Sequence, residues 1–278
     1  MDIKAIEKIT RKVRKLIIEM IAEAGSGHPG GSLSCVEIIT TLYFHILRHR
    51  PKEPDWPDRD RFVLSKGHAC PTLYAVLSLC GYFSVDTLKS LRKIDSILQG
   101  HPDRLTTPGV EVSTGSLGQG LSVACGMALA GRLDKRDYRV YALVGDGEIQ
   151  EGQIWEAAMS ATHNRLSNLT VFLDYNKMQI DGKVEDVMAI EPIFAKWKAF
   201  GWHTAEIDGH NIEEIIKTEE NARSEDRPSI IICDTVKGKG VSFMENDVRW
   251  HGVAPSKEEA EKAILEVENE SCNKGCLR

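Results

Sequence analysis

The sequence predicts an α/β protein: a doubly wound parallel sheet flanked by helices. Short β-branched runs alternate with helical stretches along the chain, the pattern of a parallel sheet covered on both faces by helices. Several of the helical stretches are announced by Gly, Pro, Asp or Ser. The 278 residues are 42% hydrophobic, which can bury a substantial core and most simply makes one large domain, although two small ones are compatible with the length. We place that domain at residues 1–265 and a polar C-terminal tail at 266–278.

In chain order, Ile3, Ile6, Ile9, Val13, Leu16, Ile17 and Met20 recur at intervals of three and four with Lys and Arg between them, so the N-terminus is an amphipathic helix. It runs straight into a glycine motif and lacks a small-residue cleavage site, which favours a helix docked on the domain over a targeting peptide or membrane anchor. Helical segments follow near 34–48, 70–80, 86–92, 118–131, 151–163, 192–199 and 211–223. Strands are expected at 62–64, 139–144, 169–174, 203–207 and 229–234. The Pro- and charge-rich stretch 49–61 reads as a surface loop, because a strand and a motif come directly after it. There is no internal repeat.

A net charge of −6 gives no electrostatic pull towards nucleic acid or anionic membrane. No apolar run approaches the roughly 18 residues of a membrane span. Seven cysteines at 35, 70, 80, 125, 233, 272 and 276 form no repeated CxxC pairs and suit a reduced cytoplasm. Cys272 and Cys276 read as part of an idle tail rather than a metal site.

In an open parallel sheet, chemistry sits beyond the carboxyl ends of the strands. The strand at 139–144 leads into Gly145-Asp146-Gly147, and the strand at 169–174 ends in Asp174-Tyr175-Asn176, with one helix between them. That is a βαβ unit, so both tails emerge at the same end, one or two strand spacings of about 5 Å apart. Asp146 and Asn176 can then share an ion. A carboxylate and an amide oxygen suit Mg²⁺ or Ca²⁺ rather than zinc, and so few protein oxygens imply a phosphorylated ligand completing the shell. Asp146 is expected on an exposed loop. Gly147, without a Cβ, would let the backbone approach a diphosphate. An isolated GDG reads more simply as a strand-end turn.

Two more glycine clusters stand out. Gly115-Ser116-Leu117-Gly118-Gln119-Gly120 leads into an apolar helix, a place where free N–H groups favour anions or polar heteroatoms. Gly25 to Gly30 spells G-x-G-x-x-G, but a helix precedes it and Pro29 lies within it, which argues against a dinucleotide fingerprint. His28, His68, His101 and His251 all adjoin glycine, so four of the nine histidines sit in loops suited to a convergent polar site. His45, His49, His163, His203 and His210 have no such setting and read as structural or surface residues.

Taken in order, SGHPGG, RFVLSKGHA, GHPD, VSTGSLGQGLS, VGDGEIQEGQIWEA, LDYNKMQIDG and WHG resemble the N-terminal part of transketolases over nearly the whole chain. The asparagine 30 residues after the GDG aspartate, from 146 to 176, is shared by thiamin-diphosphate enzymes at large, whereas the ordered histidine and GSLGQG set is specific to transketolases. The resemblance implies a thiamin diphosphate-binding fold. It implies that Asp146, Asn176 and the main-chain carbonyl of Met178 hold Mg²⁺ on the cofactor, with Ca²⁺ a possible substitute. His68, Gly147, Asn176 and His251 would contact the diphosphate, and Gly115, Ser116 and Leu117 would line the rest of the cofactor. His28 and His251 match residues that face the reacting sugar and assist proton transfer, and His101 matches one that binds the donor's hydroxyls. Glu151 matches a glutamate that couples paired cofactor sites across a subunit interface. Ser116 stands where many members have proline.

Full-length transketolases continue into a second α/β domain, whose glutamate bonds the cofactor's pyrimidine ring, and then a third. The resemblance therefore implies a split transketolase active only with a C-terminal partner subunit bearing the pyrimidine-binding domain, most plausibly a cytoplasmic two-plus-two assembly acting on sugar phosphates. Alternatives are a transketolase with an unusual donor, a 2-oxo acid decarboxylating half-chain, which the histidine set argues against, and a non-catalytic cofactor-binding regulatory subunit. The last would ordinarily have lost ligands such as Asp146 and Asn176.

Overall fold

The computed structural model describes residues 1–273, with side chains through residue 269. Seven strands are β1 (Arg61–Leu64), β2 (Val140–Gly145), β3 (Leu169–Tyr175), β4 (Met178–Gln179), β5 (Gly182–Lys183), β6 (His203–Asp208) and β7 (Ser229–Asp234). The ten helices are α1 (Ile3–Ala24), α2 (Pro29–Leu33), α3 (Val36–Thr41), α4 (Cys70–Cys80), α5 (Gln119–Leu133), α6 (Gly152–His163), α7 (Val184–Val187), α8 (Ile193–Ala199), α9 (Ile212–Arg223) and α10 (Lys257–Asn273).

Five strands form one parallel sheet in the order β1-β2-β3-β7-β6, and β4 and β5 make a small antiparallel hairpin beside it. Alternation along the strands divides the core into two layers. Phe62, Leu64, Tyr141, Leu143, Phe172, Ile231 and Cys233 face α1, α3, α4, α9 and α10. Val63, Val140, Ala142, Val144, Leu169, Val171, Leu173, Ile230 and Ile232 face α5, α6 and α8. The step from β6 to β7 runs back across the sheet, so right-handed crossovers send α9 to the face opposite α6. This is the doubly wound architecture expected.

The N-terminal helix is docked on the domain. Asp2 caps α1 by accepting from the Ala5 amide at 2.8 Å, and Ile6, Val13, Ile17, Ile18 and Ile21 are fully buried. Each such side chain contributes about 1.5–3 kcal/mol by leaving water. Gly25 ends α1, so the G-x-G-x-x-G stretch joins two helices and follows no strand.

Several boundaries differ from expectation. The helix expected over 34–48 is α3 followed by a wide π turn at Leu42–Ile46, and that over 86–92 is a short 3₁₀ segment at Val85–Ser90. The hairpin β4–β5, α2, α7 and α10 were not anticipated. The first three are too short to show a period. The tail expected from residue 266 instead continues α10 to Asn273: Val267 is buried and Glu268 pairs with Lys15 at 2.6 Å. The side chains of Cys272 and Cys276 lie outside the described residues. Cys35, Cys70, Cys80, Cys125 and Cys233 are free thiols. No helix among the described residues is long and apolar enough to cross a membrane.

Candidate active site

The carboxyl ends of β1, β2, β3 and β7 meet at one edge of the sheet, and each delivers polar side chains there. Gly145 at the end of β2 lies opposite Asp174 of the adjacent β3, so the GDG turn and the Asp174-Tyr175-Asn176 segment leave the sheet side by side. Lys177 then takes a left-handed conformation, with φ of 66°, and reverses the chain into the hairpin. Its amide donates to Asp146 Oδ2 at 2.5 Å, and the next amide, of Met178, donates to Asn176 Oδ1 at 3.2 Å. Two hard oxygens are thereby held on successive backbone N–H groups.

Asp146 is not the exposed loop carboxylate expected from sequence. It is 3% exposed, because the Gly147 amide at 2.8 Å and the Lys177 amide fold its side chain inward. Burial, and then the neighbouring Asp174, push its carboxyl up to about 7. A divalent cation would relieve both effects. The Met178 carbonyl, expected as the third oxygen of the set, faces Lys237 Nζ at 3.5 Å. Among the described residues no group of three His, Cys, Asp or Glu side chains could hold a metal by itself, so an ion here would complete its shell with water or with ligand oxygens. The donor set fits Mg²⁺ on a diphosphate.

The four glycine-flanked histidines converge. Ring centroids lie 5.4 Å apart for His28 and His68, 5.6 Å for His28 and His251, 5.5 Å for His68 and His251, and 6.3 Å for His28 and His101. His45, His49, His163, His203 and His210 take no part in the cluster. His210, for example, pairs with Glu37 at 2.9 Å and accepts from the Val236 amide. Burial, then Arg92, pushes His28 down to about 4, and burial, then Lys237, does the same for His251. Burial, then Lys66, pushes His68 well below its usual value, while burial, then Arg92, lowers His101. At all four positions the surroundings favour the neutral imidazole.

The depressed value at His28 makes stability depend on pH. With a folded pKa of about 4 against an ordinary 6.5, His28 binds its proton more readily in the unfolded chain. Its contribution to stability is therefore intact above about pH 6.5 and is lost as pH falls towards 4. The thermal midpoint of His28→Gln should accordingly gain on that of the wild type across this window. Parallel midpoints would mean that His28 is an ordinary solvated histidine.

Three groups that tie the site together were not singled out from sequence. Lys66, at the end of β1, donates to Asp174 Oδ2 and to the Gly31 carbonyl at 3.0 Å. Burial opposes its charge, but Asp174, Cys35 and Asp146 together hold the ammonium above its usual pKa. Asp174 also accepts from Ser34 Oγ at 2.5 Å and from Thr235 Oγ1. Lys237, after β7, lies 3.0 Å from His251 Nδ1, and burial, then Lys66, lowers it to about 8. Glu148 accepts from Ser65 Oγ, from the Gly118 amide at 2.9 Å and from the Gly145 amide at 3.0 Å, bracing three loops. Lys66 and Lys237 lie within three residues of strand ends, and that position was the available signal.

The GSLGQG loop closes one side. Gly118 has φ of 85° and an added Cβ would lie 2.9 Å from Glu151 Cβ, so only glycine fits there. Leu117 lines the cavity, Ser116 is exposed, and a Cβ at Gly115 would come within 3.0 Å of the His101 ring. Glu151 is exposed at the start of α6. The cavity bordered by Lys66, His68, Leu117, Asp146, Asn176 and His251 measures about 100 Å³, well short of the roughly 300–1,000 Å³ of an enclosed small-molecule site. A larger cavity of about 960 Å³ lies beyond β3, β6 and β7, but Lys177 and Asp234 on its rim pair with each other at 2.8 Å and the histidine cluster is not in it.

The sequence family described as "Transketolase, thiamine diphosphate binding domain" matches residues 5–268. The 6-deoxy-6-sulfo-D-fructose transketolase subunit of Clostridium sp. (strain MSTE9) is 48% identical over 259 residues, spanning 93% of this chain and 94% of that protein. One of the subunits of the apulose-4-phosphate transketolase of Phocaeicola vulgatus is 45% identical over 271 residues, spanning 96% of this chain and 95% of that protein. The crystal structure of transketolase from Campylobacter jejuni superposes with a TM-score of 0.92 at 36% identity, covering 96% of this chain but 43% of that one. The chain therefore belongs to the family of transketolase thiamine diphosphate-binding domains.

Proposed function

We propose that this chain is the diphosphate-binding subunit of a split transketolase. It holds Mg²⁺-thiamin diphosphate and, with a C-terminal partner subunit carrying a pyrimidine-binding domain, transfers a two-carbon ketol unit from a ketose phosphate to an aldose phosphate. The observation that carries this reading is the cluster of His28, His68 and His251, with His101 beside His28, set against a small cavity that His68 and His251 share with Asp146 and Asn176. The subunit relatives, matched over nearly their full length, support the division into two chains.

In this reading, Asp146, Asn176 and the Met178 carbonyl hold Mg²⁺, while His68, Gly147, Asn176 and His251 contact the diphosphate. Gly115, Ser116 and Leu117 line the remainder of the cofactor. The cofactor, when bound, supplies the carbanion chemistry, and the protein supplies orientation and electrostatics. His28 and His251 exchange protons with the sugar hydroxyl, and His101 orients the donor. Burial, and then Lys237 3.0 Å from its Nδ1, favour the neutral form of the His251 imidazole. Glu151 lies exposed where a second copy would couple paired sites in a cytoplasmic two-plus-two assembly. A second reading is a transketolase dedicated to an unusual donor, and the sulfo-fructose and apulose-4-phosphate names of its relatives favour it.

Substitution of the histidines in the assembled enzyme tests the assignment. His28→Ala should lower kcat and kcat/KM together by about 10²–10⁴-fold, the usual size of a general acid–base contribution. Its calorimetric affinity for Mg²⁺-thiamin diphosphate should stay near that of the wild type, because His28 is not among the residues lining the diphosphate cavity. His251→Ala should lose both turnover and cofactor affinity. Normal turnover in both variants would remove the proton-transfer role.

A further inference from the structure

Gln179 lines the same cavity as Asp146, Asn176 and His251, with no part in the metal set or the histidine cluster. Its backbone is pinned, because the β4–β5 hairpin pairs it with Gly182. Its side chain lies against the GDG turn: a Cβ added at Gly147 would be 3.3 Å from Gln179 Cβ and 3.7 Å from its Oε1. The amide nitrogen, Nε2, is buried and has no hydrogen-bond partner. Of the buried side-chain atoms in that state among the described residues, only Gln179 Nε2 and His28 Nδ1 belong to the site. A native fold rarely leaves a buried donor unpaired unless a ligand or water completes it. The neighbouring ammonium of Lys237 is already shared between His251 and the Met178 carbonyl, so it does not answer for this part of the wall.

We propose that the side-chain amide of Gln179 donates a hydrogen bond to a diphosphate oxygen of the cofactor. The inference rests on the thiamin-diphosphate reading above and adds a ligand contact to it. A neutral amide suits the position. It can meet an anionic oxygen without adding a further positive charge beside Lys66 and Lys237, which line the same cavity. Its place beside Gly147, on the hairpin that follows Asn176, puts its side chain in the cavity shared with His68, Asn176 and His251, the residues assigned above to the diphosphate.

The test is calorimetric titration of the partner-assembled enzyme with Mg²⁺-thiamin diphosphate, and separately with Mg²⁺-pyrophosphate, for wild type, Gln179→Ala and Gln179→Glu. A hydrogen bond to a charged oxygen corresponds to roughly ten- to a hundredfold in affinity. Gln179→Ala should lose about that factor for both ligands. Gln179→Glu, nearly the same shape but anionic, should bind more weakly still. The hairpin lies outside the main sheet, so circular dichroism and thermal midpoints should match those of the wild type. Unchanged affinity in both variants, or Glu binding as well as Gln, overturns the donor assignment. A loss seen for the cofactor but not for pyrophosphate overturns its placement on the diphosphate. Absence of Mg²⁺-thiamin diphosphate binding in the wild type would overturn the reading beneath it, a result that the wild-type titration alone distinguishes.

Discussion

The isolated polypeptide is expected to show no ketol transfer, and addition of a pyrimidine-domain partner is expected to restore transfer together with tight thiamin diphosphate binding. The cause is geometric. The cavity beside Asp146 measures about 100 Å³, short of a small-molecule site, and Ile180 at its edge is 65% exposed. Close by, Val187 and Met188 are 44% and 59% exposed, so apolar surface flanks the opening, as expected of a face that another chain covers. If each half closes the other's site, cofactor and partner must bind with positive coupling, and linkage makes that coupling equal in both directions. Titrating the partner with and without cofactor, and the cofactor with and without partner, should return the same ratio. Robust ketol transfer by this polypeptide alone, once mass spectrometry excludes a co-purifying partner, would overturn the split-enzyme reading.

Asp146→Ala in the assembled enzyme is expected to weaken Mg²⁺-thiamin diphosphate binding by more than about a hundredfold, since even outer-sphere partners of a metal are worth 10–100-fold. The fold should survive. Two amides, of Gly147 and Lys177, lose their acceptor, at about 1–3 kcal/mol for each donor left buried and unpaired. Against this, removing a carboxylate that burial and Asp174 already disfavour relieves part of the loss. Asp146→Asn, which keeps an acceptor oxygen but not the charge, should fall between alanine and wild type. Equal cofactor affinity in wild type and alanine variant, measured with excess Mg²⁺, would remove Asp146 from the metal site.

Much of this was legible along the chain. The βαβ unit from 139 to 176 could be read because its two apolar strands and intervening helix are each long enough to show their period, and the crossover rule then forces both tails to one end. The observed β2 and β3 lie next to each other, one strand spacing apart. Glycine on either side of a histidine marked loops rather than helix faces, and those four histidines are the ones that meet. The β4–β5 hairpin has two residues per strand and no period to detect, so Gln179 went unnoticed. In α10 the apolar positions Ala260, Ala263 and Val267 include two small residues in an acidic helix, a stripe thin enough to pass for a polar tail.

By itself, the sequence determined the fold class, the end of the sheet at which chemistry lies and the donor types available there, because these follow from periodicity, handedness and side-chain chemistry, all local properties. Only the tertiary structure decided the rest. It buried Asp146, paired Lys66 with Asp174, set Lys237 against His251 and left Gln179 Nε2 without a partner. Lys66 and Asp174 are 108 residues apart in the chain. Burial and charge pairing depend on which distant segments share a low-dielectric space, and that is settled by packing, not by any window of neighbouring residues.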